Sequence, residues 1–112
     1  MYPKFIIQGN SLILSKVTYH KELLDGSEQI KGGGRFRFNK DENSFTFYGD
    51  SFDFGQAKFD DIKACVEAGH VYSNKFKTHS IADEHKFYYD TGTERIELKP
   101  NILPSPHDLP PN

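Results

Sequence analysis

The chain has 112 residues, enough for one domain with a single hydrophobic core but too few for two. Its 14 basic and 16 acidic residues are mixed along the chain and give a net charge of −2, so no basic surface for nucleic acid or an anionic membrane is expected. One cysteine, Cys65, excludes an internal disulfide and a cysteine-rich zinc site. With no apolar stretch typical of a signal peptide or a membrane span, we expect a cytoplasmic protein.

The first predicted element is a β-hairpin. Residues 4–8 form a short β-rich run, Gly9 and Asn10 supply a two-residue turn, and a second strand is predicted over residues 11–19. His20 follows directly after this strand. Residues 21–24 could either continue the strand or form one helical turn, and both interpretations stay open.

The next feature is the triplet Gly32, Gly33 and Gly34 followed by Arg35. Three glycines allow positive φ or close approach of the backbone to a ligand, and the arginine guanidinium provides donors that suit an oxyanion. These residue types are consistent with a phosphate site. The alternative is a bend or bulge where the chain enters a strand.

A second hairpin is predicted from Arg35 to Tyr48, with a polar turn over residues 39–44. Its period is two, so the phenylalanines should share one face while the other face is polar. The predicted apolar face comprises Phe36, Phe38, Phe45 and Phe47, and the predicted polar face comprises Arg35, Arg37, Thr46 and Tyr48.

The segment 59–68 is predicted to be a helix that ends at Gly69. Cys65 falls on its apolar stripe, where a cysteine is more often a small packed side chain than a nucleophile. A third hairpin is predicted, with paired strands over residues 86–89 and 95–98 around a turn at residues 90–93. Together these elements predict a small α/β domain of the α+β type over residues 1–99, with a mixed, mostly antiparallel sheet, at least one packed helix and a proline-rich flexible tail over residues 100–112.

The central part of the chain resembles the janus/ocnus family, which includes a phosphohistidine phosphatase. The resemblance rests on the Gly-Gly-Gly-Arg entry at residues 32–35, the following hairpin, the segment Tyr-Gly-Asp-Ser-Phe-Asp-Phe-Gly-Gln-Ala at residues 48–57, and the helix from Phe59. It implies a small α/β fold and hydrolysis of phosphohistidine without a metal or other cofactor. The expected substrate is a phosphorylated protein or a small phosphoramidate.

The resemblance also implies roles for individual residues. His20, upstream of the triplet, corresponds to the catalytic histidine of the family, although it lies closer to the triplet than in the family pattern. Arg35 and Lys4 correspond to cations that contact phosphate. The remaining implied site residues are the amide-bearing loop Ser51, Phe52 and Asp53 and the glycine turns Gly32, Gly33, Gly34, Gly49 and Gly55.

Two departures from the family pattern favour an alternative, a binding module that has lost the chemistry. Phe59 stands where the family has a histidine, and Asp50 and Asp53 place carboxylates in the loop that should receive a phosphate. The carboxylates could point away, pair with Arg35, Arg37 or Lys58, or bind a cation or basic peptide. In this alternative, exposed Phe52 and Phe54 would form part of a partner surface.

A third alternative is a metal enzyme. His79, Asp83 and His85 lie within seven residues, and imidazole and carboxylate groups suit zinc. Their spacing matches no short metal motif, so a solvated loop is the simpler interpretation and no metal site is predicted.

Overall fold

The computed structural model describes residues 2–18, 29–74, 77 and 79–101. Within this part, seven strands form one mixed sheet in the order β5-β2-β1-β3-β4-β6-β7, and one helix packs on it. The elements are β1 Tyr2–Gln8, β2 Ser11–Val17, β3 Ile30–Asn39, β4 Ser44–Tyr48, α1 Phe59–Glu67, β5 Val71–Tyr72, β6 Lys86–Asp90 and β7 Arg95–Leu98. The architecture confirms the predicted small, sheet-dominated α+β domain.

Three antiparallel hairpins build most of the sheet. β1 pairs with β2, β3 with β4, and β6 with β7, and a further antiparallel pairing joins β1 to β3. Two parallel pairings, β2 with β5 and β4 with β6, make the sheet mixed. All three predicted hairpins are therefore present, whereas the short β5 lies in a stretch that the sequence left unassigned.

One face of the sheet, the helix-covered face, carries the main hydrophobic core. Phe5, Phe47 and Phe87 are at most 1% exposed, and each buried side chain of this size contributes about 1.5–3 kcal/mol. The ring of Phe5 meets that of Phe47 edge-on at 5.1 Å, and the rings of Phe47 and Phe87 stack at 6.1 Å. The helix contributes Ile62, Cys65 and Val66 to the same cluster.

The helix α1 begins at Phe59, as predicted, with acidic residues in its first turn where they complement the helix dipole. It ends where Gly69 adopts a φ of 77°, with its amide bonded to the Val66 carbonyl and the His70 amide bonded to the Cys65 carbonyl. The predicted glycine stop is therefore confirmed.

The glycine triplet lies inside β3, not at a turn, and Gly32, Gly33 and Gly34 are buried. The pairing of β1 with β3 shifts register between Ile7 and Gln8, which leaves a bulge beside Gly32. A Cβ at Gly32 would lie 2.7 Å from the Ala57 Cα, and its φ is 134°. The triplet is therefore not a turn, and the alternative of a bulge where the chain enters a strand is confirmed. Glycine at position 32 allows the backbone of Ala57 to pack closely.

The beginning of the predicted proline-rich tail is attached to the domain. The amide of Asn101 donates to the Glu67 carbonyl at 2.7 Å, and its side-chain amide donates to the Glu67 carboxylate at 3.3 Å. Residues 102–112, like the open assignment of residues 21–24, lie outside the described part of the chain.

Candidate functional site

Two predicted phosphate-contacting cations come together on the face opposite the helix, here called the second face. Lys4 on β1 is paired with Arg35 on β3, which is paired in turn with Tyr48 on β4. Because paired residues project to one side of a sheet and adjacent strands lie about 4.8 Å apart, the three side chains form a row. They line a depression of about 370 Å³ together with Tyr2 and Pro3.

Arg35 differs from the other two arginines of this face in its ion pairing. It is exposed and forms no ion pair with any residue in the described ranges. Arg37, by contrast, binds Asp90 at 2.8 Å, and Arg95 binds Glu42 at 3.1 Å. An unpaired guanidinium with its fork of donors is suited to binding a phosphoryl group.

Lys4 adds a second positive charge to the same depression. Its Nζ donates a hydrogen bond to the Thr18 carbonyl and lies 6.0 Å from the centre of the Tyr2 ring. An ammonium group has three donors, so this bond fixes the side chain and leaves donors for an anion. Lys4 and Arg35 together therefore provide two cations in a depression otherwise lined by two tyrosines and a proline.

Tyr48 forms one wall of the depression, and its ring packs against the Arg37 guanidinium. The Arg37 guanidinium lies 4.3 Å from the centre of its ring, and the Asp90 carboxylate binds that guanidinium. The second Asp90 oxygen accepts the Gly92 amide at 2.8 Å, and the Gly92 and Arg37 hydrogen bonds lower the pKa of Asp90. Sequence reasoning placed Tyr48 and Arg37 on one face but missed Asp90, which is distant in sequence.

Ser51 organises a tight turn rather than lining the depression. Its side chain is 3% exposed, and its Oγ accepts the Phe54 amide at 3.1 Å. Backbone hydrogen bonds connect Ser51 and Gly55 in both directions, at 3.3 and 2.9 Å. The amides of Phe52 and Asp53 bond to no residue in the described part of the chain, so they are the donors that this turn leaves for a ligand.

The turn from Ser51 to Gly55 is anchored to the second face near Arg35. Gly33 donates to the Gly55 carbonyl at 3.0 Å and accepts from the Ala57 amide at 3.1 Å, while Phe54 packs against the buried pair Ile6 and Ile13. Gly33 lies two residues before Arg35 on β3, a separation of about 7 Å along a strand. The structure therefore brings the turn and the two cations to the same region.

Gly49 and Gly55 are the two predicted turn glycines that do adopt a left-handed conformation. Their φ values are 74° and 75°. A Cβ on Gly49 would lie 3.9 Å from the Arg35 Cγ and Cδ, so the chain reverses beside the arginine side chain. Glycine is favoured at both positions because other residues are strained at such φ values.

The acidic residues of the loop, Asp50 and Asp53, are exposed. Neither Asp50 nor Asp53 forms an ion pair with a residue that the structure describes, so pairing with Arg35, Arg37 or Lys58 is not how their charges are accommodated. Phe52, between them, is fully exposed. Of the two predicted surface phenylalanines, Phe54 is half-buried and Phe52 alone is fully in solvent.

The remaining predicted residues fall into three groups. His20 lies outside the described residues. Phe59, which replaces the family histidine, packs its ring 5.2 Å from that of Tyr89. His79, Asp83 and His85 are described, but no group of three potential metal ligands occurs among the described residues, so the metal-enzyme alternative has no assembled site. His79 instead binds Glu84 at 2.7 Å, and this hydrogen bond raises its pKa.

The chain matches the model of a known protein family. The family model described as Janus/Ocnus family (Ocnus) matches residues 6–79, a range that includes Arg35 and the turn from Ser51 to Gly55 but not Lys4. No curated protein and no solved structure matches the chain. No helix in the described residues is long and apolar enough to span a membrane.

Proposed function

Because this chain belongs to the Janus/Ocnus family, we propose that it is a phosphohistidine phosphatase-like hydrolase that removes phosphate from a phosphorylated histidine or lysine side chain without a metal. The observation that carries the proposal is the row of Lys4, Arg35 and Tyr48 around a depression of about 370 Å³, with Arg35 unpaired among the described residues. A phosphoryl group is small enough for such a cavity and needs the positive charge that the cavity supplies.

In the proposed reaction, Lys4, Arg35 and the amides of Phe52 and Asp53 hold the phosphoryl oxygens. Phosphoryl transfer depends mainly on positioning and on stabilising charge on these oxygens, so little further machinery is needed. His20 deprotonates a water that attacks phosphorus, or its ring nitrogen attacks phosphorus to give a phosphorylated His20, from which water then releases phosphate and regenerates the imidazole. The phosphorus–nitrogen bond breaks, the substrate nitrogen takes up a proton, and inorganic phosphate is released.

The proposal is tested by measuring phosphate release from phosphorylated polyhistidine or a phosphohistidine peptide in the presence of a chelator. We expect turnover in the wild type, a loss of about 100-fold or more in Arg35→Ala because a charge-stabilising donor is removed, and loss of turnover in His20→Ala. Arg95→Ala is the matched control, since it removes an arginine of the same face that is paired with Glu42. Full activity in both site variants, or no turnover in the well-folded wild type, would overturn the proposal.

The second candidate function is a binding module on the same scaffold. The side chains of the turn region favour it, because neither the fully exposed Phe52 ring nor the carboxylates of Asp50 and Asp53, which form no ion pair within the described residues, would stabilise a phosphoryl group. Binding of a phosphorylated peptide without turnover, dependent on Arg35 but not on His20, would support this function instead.

A further inference from the structure

The exposed tip of the turn from Ser51 to Gly55 requires an explanation that phosphate binding does not give. The fully exposed Phe52 side chain lacks the favourable burial that aromatic rings obtain elsewhere in the chain. The flanking Asp50 and Asp53 repel a phosphate that approaches alone. Apolar and acidic groups are therefore presented together beside a cationic depression.

The turn holds this tip in one orientation. Two backbone hydrogen bonds connect Ser51 and Gly55, the Ser51 hydroxyl oxygen accepts the Phe54 amide, and Phe54 is packed on Ile6 and Ile13. The Gly33 amide bonds the far end of the turn to the centre of the sheet. A ring held by so short a turn loses little conformational entropy when a partner covers it, which favours a binding role.

The depression and the neighbouring turn carry charges of opposite sign. Lys4 and Arg35 line the depression, whereas Asp53 lies on the turn and Asp50 directly before it, and the turn is anchored about two strand residues away from Arg35 at Gly33. A ligand that binds both the depression and the turn carries an anionic group and a cationic group a few residues apart. A free phosphoramidate cannot span this arrangement, but a polypeptide can.

We propose that the Phe52 turn selects polypeptide substrates in which the phosphorylated residue is flanked by an apolar residue and a basic residue. Phe52 contacts the apolar side chain, Asp50 and Asp53 attract the lysine or arginine, and Lys4 and Arg35 bind the phosphoryl group. This inference rests on the proposed function and specifies the substrate of the same site. It also gives the carboxylates of Asp50 and Asp53 a role, because they repel small anionic substrates and attract basic peptides.

The test uses three substrates: inorganic phosphoramidate, a phosphohistidine peptide with flanking leucine and lysine residues, and the same peptide with the lysines replaced by glutamates. Turnover of each is compared in the wild type, Phe52→Ala and Asp53→Asn. Asp41→Asn is the matched control, since Asp41 is an exposed carboxylate on the turn between β3 and β4. Because Phe52 and Asp53 are exposed, these variants are expected to fold normally.

Both turn variants keep the backbone amides of Phe52 and Asp53. We expect each variant to lower kcat/KM for the lysine peptide by roughly fivefold more than it lowers kcat/KM for phosphoramidate. Asp53→Asn should also narrow the preference for the lysine peptide over the glutamate peptide, and added salt should narrow it in the wild type. Equal effects on all three substrates, or none on any, would overturn the inference and leave the proposed hydrolysis intact.

A binding measurement separates failure of this inference from failure of the proposed function. Fluorescence anisotropy records the affinity of a labelled lysine peptide that carries a non-hydrolysable phosphonate in place of phosphohistidine. If the wild type hydrolyses nothing but binds this peptide, and both turn variants weaken binding by roughly fivefold, the hydrolase proposal fails and the selecting role of the turn stands. If binding is absent, or the same in all variants, the inference is wrong.

Discussion

On the helix-covered face Phe5, Phe36 and Phe47 are at most 5% exposed, whereas on the second face Arg35 is exposed and Tyr48 is half-buried. The two sets alternate along the same strands, so residues adjacent in sequence belong to different environments. The helix-covered face carries the main hydrophobic core, and the second face carries the depression lined by Lys4 and Arg35, beside the smaller buried pair Ile6 and Ile13. The comparison teaches that the main core and this cationic depression lie on different faces of the sheet rather than in different segments of the chain.

The largest expected effect is a loss of stability when a ring is removed from the helix-covered face. Phe47→Ala should lower the free energy of unfolding by about 3–5 kcal/mol, because it removes a ring in contact with Phe5 and Phe87 and leaves a cavity. Arg35→Ala should change it by no more than about 0.5 kcal/mol, since this side chain is exposed and unpaired within the described residues. Urea denaturation checks both, and similar losses in the two variants would contradict the division between faces.

The next effect is a difference in stability loss between substitutions at two glycines, one in β3 and one in the turn from Ser51 to Gly55. Gly32→Ala should destabilise by roughly 2–5 kcal/mol, because its Cβ would meet the Ala57 backbone at 2.7 Å and its φ of 134° is strained for other residues. Gly55→Ala, in the turn on the second face, also has positive φ but has nothing within 4 Å of its Cβ, so a loss of about 1–2 kcal/mol is expected. Thermal unfolding compares the two, and an equal loss would mean that close packing at Gly32 is unimportant.

The last prediction concerns the thiol of Cys65, on the buried side of the helix. Burial raises the pKa of Cys65 to about 11, so at pH 8 the native thiol is almost entirely neutral. Since only the thiolate is nucleophilic and an unfolded cysteine has a pKa near 8.5, alkylation in the native state should be roughly 100-fold slower than in urea. The sign of the shift also means that stability falls as the pH rises from about 8.5 towards 11, because the unfolded chain ionises first. Rapid native alkylation would show that this part of the helix-covered face is open.

Much of the fold could be predicted because its signals are local. The alternation from Arg35 to Tyr48 predicted which residues share a face, and the observed pairs Arg35 with Tyr48 and Phe36 with Phe47 confirm it. The turn at Gly9 and Asn10 and the helix stop at Gly69 are likewise confirmed, since each depends on a few neighbouring residues.

The site was only partly predictable because its geometry depends on distant segments. Arg35 was identified from the glycine triplet before it and from the family resemblance, and Lys4 from the resemblance alone. Their pairing comes from the register of β1 against β3. Nothing local indicated that Asp90 would hold Arg37 against Tyr48, across 53 residues of sequence. The glycine triplet was ambiguous for the same reason, because the segment that packs against Gly32 lies more than 20 residues further along the chain.

The sequence by itself determined the alternation of faces, the principal hairpins and the helix, because periodicity and turn residues act over a few positions. Only the tertiary structure decided that Arg35 has no carboxylate partner in the described residues while Arg37 has one, and that Phe52 projects into solvent while Phe54 is packed. Each of these outcomes depends on which strands become neighbours and on how the turn from Ser51 to Gly55 bonds to β3. Such contacts follow from long-range pairing, which local preferences do not encode.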